Sequence, residues 1–133
     1  MAARPYQQPN IKETGENMTK GPFRLGIDIG STTVKVAVLG VSGQLMFADY
    51  QRHYANIRET LGSLLKQAYE TLGDITTFPM ITGSGGLTLA KHLEIPFVQE
   101  VISVASALEH TAPKTDVAIE LGGEKAKIIY FEG

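Results

Sequence analysis

From Phe23 onward, apolar residues recur at two spacings that divide the chain into strands and helices. Residues 23–30 and 33–40 are β-rich. The second run alternates Val34, Val36 and Val38 against Thr33, Lys35 and Ala37, the two-residue period of a strand with one buried face. The turn-forming Val41-Ser42-Gly43-Gln44 leads into a third strand over 45–54, which predicts an antiparallel meander. Ile57, Leu61, Leu64, Leu65, Ala68 and Leu72 then fall at helical spacing. Asn56 is placed to cap that helix, Glu59 to complete a capping box, and Gly73 to end it. A short buried strand is expected over 78–82, a short helix over 87–92 and a brief strand over 95–98. A second main helix follows over 101–110, stopped before Pro113, and strands over 116–121 and 127–131 close the chain. The pattern predicts an α/β fold, a mixed sheet flanked by helices.

The first residues do not join this pattern. Residues 1–22 are polar, carry Pro5, Pro9 and Gly15, show no periodicity and are expected to form a flexible extension. Residues 23–133 are then one lobe, since 133 residues suffice for one core but not for two substantial ones. The last strand runs to Gly133 without a closing element, as in a chain cut at a domain boundary. Hydrophobic content of 43% and charged content of 20% are those of an ordinary globular protein. A formal charge of −2 argues against a general nucleic-acid or anionic-membrane binder, both of which need excess positive charge. There is no cysteine, which excludes disulfides, thiolate metal sites and iron–sulfur ligation by this chain. The start lacks the apolar core of a signal peptide and no run is long and apolar enough to span a bilayer, so a cytoplasmic location is expected.

Candidate chemistry concentrates in three loops. In "GIDIGSTTVK" a strand delivers Asp28 to a turn made of Gly30, Ser31, Thr32 and Thr33. A lone carboxylate at a buried strand end is costly unless it meets a cation or donors, and hydroxyls and turn N–H groups are the donors that hold phosphate. Carboxylate beside phosphate cradle suits a magnesium-bound nucleotide, although hairpin turns use the same residues. No GxxxxGK is present, so this is not a Walker loop. "ELGGEKAK" repeats the logic with Glu120 before Gly122 and Gly123, and a parallel sheet would bring both carboxylates to one rim. "TGSGG", with Gly83 and Ser84, is a third such loop. Glu100 suits the start of a helix, where an acid offsets the dipole. Lys35 either reaches the cleft or is solvated. His53, His92 and His110 lack metal-ligand spacing and are expected at the surface or its boundary.

Taken together, these stretches resemble a known family. "GIDIGSTTVKVAVL" and "IELGG" look like the two phosphate motifs of the actin/hexokinase/Hsp70 ATPase superfamily. "GSTTVK", "ITGSGG", "PFVQEV" and "VAIELGGEKAKIIYF" resemble the ATPase activators of 2-hydroxyacyl-CoA dehydratases, relatives of benzoyl-CoA reductase ATPase subunits, the large activase type most closely. The resemblance covers Phe23 to the end. It implies an RNase H-like, actin-like ATPase lobe with a five-stranded mixed sheet. It also implies ATP and Mg²⁺ as cofactors, with a [4Fe–4S] cluster only in a part of the full-length protein outside this chain. The implied activity is ATP hydrolysis that drives one low-potential electron to a dehydratase or reductase component. Full-length members of the family are dimeric.

Carried over, Asp28 and Glu120 would be the catalytic, Mg²⁺-binding pair, Glu120 orienting the metal or the attacking water. Gly30, Ser31, Thr32, Thr33 and Lys35 would contact phosphates, Gly122 and Gly123 would admit the γ-phosphate, and Gly83, Ser84 and Glu100 are weaker carry-overs. Two departures stand out: Lys125 occupies a position usually acidic, and Glu120 replaces the commoner Asp. The chain also ends before the family's cysteine-bearing segment and second lobe, so alone it is expected to be inactive. Two alternatives remain at this stage, a small-molecule kinase lobe of the same superfamily and a non-catalytic nucleotide-sensing or partner-docking module.

Overall fold

The computed structural model of the protein describes residues 22–122 and 126–131. The expected extension over 1–22, apart from residue 22, and the positions of Gly123 and Lys125 lie outside the described residues. Strands β1 (Phe23–Ile29), β2 (Thr33–Leu39) and β3 (Leu45–Arg52) form the antiparallel meander, and helix α1 (Ile57–Leu72) follows. Strand β4 (Thr77–Thr82) then returns parallel to β1, giving a sheet of order β3-β2-β1-β4. Helices α2 (Gly86–Leu93) and α3 (Glu100–Thr111) precede a hairpin of β5 (Val117–Leu121) and β6 (Ala126–Tyr130).

The pleat explains which face is covered. Ile27 pairs with Val36 and with Ile81, and Ile29 with Val34, so these side chains share one face of the sheet. All are at most 3% exposed and pack in one cluster with Leu61, Leu64 and Ala68 of α1 and Ala90 of α2. Burial of this face is the main source of stability, about 25 cal/mol for each Å² of apolar surface removed from water. Helix α1 ends as expected at Gly73, whose φ of 78° is a left-handed value that glycine adopts without a Cβ penalty. The other face carries Gly26, Ala37 and Ala48 in register, then Asp28, Lys35 and Tyr50. It floors an open trough whose far wall includes Ile102 and Ser106 of α3.

Three expectations need correction. The sheet is not five-stranded: it has four strands, and β5–β6 forms a separate two-stranded sheet. The brief strand at 95–98 is reduced to an isolated bridge between Ile81 and Phe97, because Pro96 has no N–H to extend the ladder. Asn56 does cap α1, but its side chain makes no capping bond; Thr60 Oγ1 instead donates to the Asn56 carbonyl at 2.8 Å. Among the described residues no helix is long and apolar enough to cross a membrane.

Candidate functional site

Strand β1 ends at Ile29 because the chain must reverse, and Gly30 N–H donates to the Thr33 carbonyl at 2.9 Å to close that turn. Antiparallel register sets Lys35 opposite Asp28, on the face away from the core. Their side chains meet, Nζ to Oδ2, at 3.6 Å. Parallel pairing of β1 with β4 then delivers the loop after Thr82 to the same end of the sheet. Gly83 lies directly against Ile29 and Asp28, with φ of 100°. Gly85 N–H donates to the Ile29 carbonyl at 2.9 Å, which fixes this loop to the end of β1.

The hairpin β5–β6 arrives from the opposite side. Its register places Glu120 against Lys127. Lys127 bonds Glu100, the first residue of α3, tying the hairpin to that helix. The ammonium titrates above its ordinary value, first because Glu100 accepts its hydrogen bond and then because the charges of Glu100, Glu120 and Asp28 surround it.

These approaches enclose a cleft of about 100 Å³. Asp28, Gly30, Ser31, Thr32, Thr33 and Lys35 line it from β1–β2, Ser84 from the loop after β4, and Glu120 and Gly122 from β5–β6. Gly83 lies behind the wall rather than in it, making room for Asp28. Thus the two carboxylates share one cleft, but not through a parallel sheet: a detached antiparallel hairpin carries the second one. Asp28 Oδ1 and Glu120 Oε2 are buried there without a hydrogen-bond partner. An unpartnered buried carboxylate oxygen is costly, and a cation or a donor would offset that cost.

Two residues of this region escape sequence reasoning. Lys127 also lines the cleft, beside Glu100, which the resemblance offered as a weaker carry-over. The signal for Lys127 was present: Asp28 and Lys35, like Glu120 and Lys127, are seven apart around a glycine turn. His53 is only 7% exposed rather than superficial, and it bonds the 30–32 turn. No periodicity signals that burial, because polar bonds and not apolar packing produce it.

No protein-family profile matches the sequence, and no curated protein matches it. Solved structures do share its architecture. Component A of the (R)-2-hydroxyglutaryl-CoA dehydratase of Acidaminococcus fermentans superposes with a TM-score of 0.67 at 21% identity, over 84% of this chain and 44% of that one. The activator of the 2-hydroxyisocaproyl-CoA dehydratase from Clostridium difficile, with bound ADPNP, gives 0.66 at 21% identity over 83% and 41%. The chain has the actin-like ATPase fold. Within this actin-like fold, the ethanolamine utilization protein EutJ from Carboxydothermus hydrogenoformans is also similar, with a TM-score of 0.65 at 13% identity over 87% and 50%. The chain spans less than half the length of the dehydratase component A and of the dehydratase activator.

Proposed function

We propose that this chain forms the phosphate-binding part of an ATP-hydrolysing activase. Hydrolysis would drive low-potential electron transfer to a 2-hydroxyacyl-CoA dehydratase or benzoyl-CoA reductase-like partner. The observation that carries the nucleotide reading is the pair of unpartnered buried oxygens, Asp28 Oδ1 and Glu120 Oε2, in one cleft with hydroxyls and two lysines. The likeness to a dehydratase component A and to a dehydratase activator with ADPNP bound supports the partner class.

Two hard carboxylate oxygens with open coordination fit Mg²⁺, and Asp28 and Glu120 are the residues that would hold it. When bound, the ion would supply positive charge that neutralises the phosphates. The chain's own residues divide the remaining work. Ser31, Thr32, Thr33 and Ser84 offer donors to phosphate oxygens, and Lys35 and Lys127 offer charge. Gly122 leaves space for close approach of the terminal phosphate. Glu120 would orient either the metal or the attacking water. With no cysteine, the chain supplies no thiolate to an iron–sulfur cluster, and the electron-transfer step would depend on residues outside it.

The deciding experiment follows backbone amide resonances during titration with ADPNP, once with Mg²⁺ and once with a chelator. Shifts should centre on residues 30–33, 84 and 120–122 and should require less nucleotide when Mg²⁺ is present. Shifts elsewhere, or none, would overturn the reading. The Lys127 ammonium beside the acidic pair favours a second reading, a nucleotide-sensing module that binds without hydrolysis. Metal-independent binding without phosphate release would select it.

A further inference from the structure

We infer that His53 is a positioning residue that sets the conformation of the phosphate-facing turn. This rests on the proposed nucleotide site but concerns a residue outside it. Three of the bonds made by His53 involve its amide and its ring. Its backbone N–H donates to the Thr32 carbonyl at 3.0 Å, and its Nε2 lies 3.0 Å from the Gly30 carbonyl oxygen. Ala55 N–H donates to its Nδ1, also at 3.0 Å. Because Nδ1 accepts, the ring proton must sit on Nε2, where it is donated to Gly30. The imidazole is therefore a neutral ring with both nitrogens used, and it is buried.

One residue thus fixes two carbonyls of a four-residue turn. A trans peptide is planar, with its N–H opposed to its C=O. Directing the Gly30 carbonyl at the ring therefore turns the Ser31 N–H away from His53, and directing the Thr32 carbonyl at the His53 backbone does the same to the Thr33 N–H. Gly30–Thr33 line the cleft, so His53 decides where the turn's donors point. Donors fixed beforehand lose less freedom when phosphate binds.

The chain accepts strain to make this arrangement. Tyr54 and Ala55, with φ of 45° and 67°, are consecutive left-handed residues without being glycine. That reversal is what brings Ala55 N–H back onto Nδ1, while Asn56 N–H closes on the His53 carbonyl at 2.7 Å. Without the reversal Nδ1 would be a buried acceptor lacking a donor.

The test uses the full chain, with His53→Phe to keep the ring volume without a donor and His53→Gln to keep an N–H at similar reach. Exchange of the Gly30 amide and affinity for Mg·ADPNP are read by NMR. In His53→Phe, Gly30 exchange should quicken and ADPNP binding weaken, each by about five- to tenfold, as for loss of one hydrogen bond. In His53→Gln both should return to within about threefold of wild type, a rescue that a mere space-filling role would not produce. Imidazole ¹⁵N shifts should place the proton on Nε2. A Phe variant indistinguishable from wild type, or a proton on Nδ1, would overturn the inference. If wild type binds no ADPNP, the proposed function fails by itself, and Gly30 exchange and the tautomer still decide the role of His53. If His53→Phe does not fold, a Gln variant that has lost both readouts overturns the inference and one that keeps both supports it.

Discussion

A Cβ placed on Gly83 would lie 2.3 Å from the carbonyl oxygen of Ile29 and 2.6 Å from Oδ1 of Asp28. The loop after β4 and the end of β1 therefore meet backbone to backbone, and that contact shapes the wall behind Asp28. Gly83→Ala must displace main chain and must also hold a side chain at φ of 100°. The expected loss is about 3 kcal/mol, from strain and overpacking together. Urea denaturation measures it, and a midpoint unchanged from wild type would show that the two segments separate easily.

Asp28→Asn separates binding from stability. The Lys35 partner is 56% exposed, so the lost ion pair costs little, and neutralising a buried oxygen without a partner offsets that cost. Denaturation should therefore shift by less than about 1 kcal/mol. The gain in ADPNP affinity on adding Mg²⁺ should fall by about tenfold or more, a change of roughly 1.4 kcal/mol in binding. Titration calorimetry with and without chelator checks it; an unchanged metal effect would remove Asp28 from the proposed site.

Lys127 predicts a pH dependence with a definite sign. Its pKa in the folded protein lies above the ordinary 10.5, chiefly because Glu100 accepts its hydrogen bond. A cation with a raised folded pKa contributes fully below its unfolded pKa and loses that contribution as pH rises through the folded value. Wild type should thus exceed Lys127→Met in stability by a constant margin between neutral pH and 10.5, and the margin should close above it. Because the side chain is 39% exposed, solvent screening keeps the margin under about 1 kcal/mol. Paired melts over alkaline pH test the sign, and a margin that widens with pH would contradict it.

Leu64→Ala should be severe and Leu121→Ala mild. Leu64 is 0% exposed within the main cluster, and truncation there costs about 2–5 kcal/mol. Leu121, at 79% exposed, should change global stability by under about 0.5 kcal/mol. Comparable losses from the two would mean that the hairpin belongs to the main folding unit.

The legible parts of this fold were those with a local cause. The alternation of Val34, Val36 and Val38, the helical spacing of Leu61, Leu64 and Ala68 and the stop at Gly73 each have one, and the structure follows them. Sheet membership has no local cause. Val117, Ile119 and Leu121 alternate like a buried strand, yet they face outward while Ala118 and Glu120 turn inward. A pattern can state which residues share a face, but not what that face meets. The acid-then-glycine turns were readable as a pair, and the structure brings Asp28 and Glu120 to one cleft. Lys127 and His53 were not read as parts of this region, and Glu100 only as a weaker carry-over, since strand register and a reversed loop gather them from distant stretches.

The separate hairpin has a practical consequence. Two strands alone are marginal in water, and among the described residues neither outer edge of the hairpin has a neighbouring strand. Ile119, Leu121, Ile128 and Tyr130 are 57–79% exposed on the same element. The one lysine among the described residues of β6 is committed to Glu100, so it does not guard the edge. Such a ribbon adheres to its like. Concentration and salting-out are therefore expected to act there first.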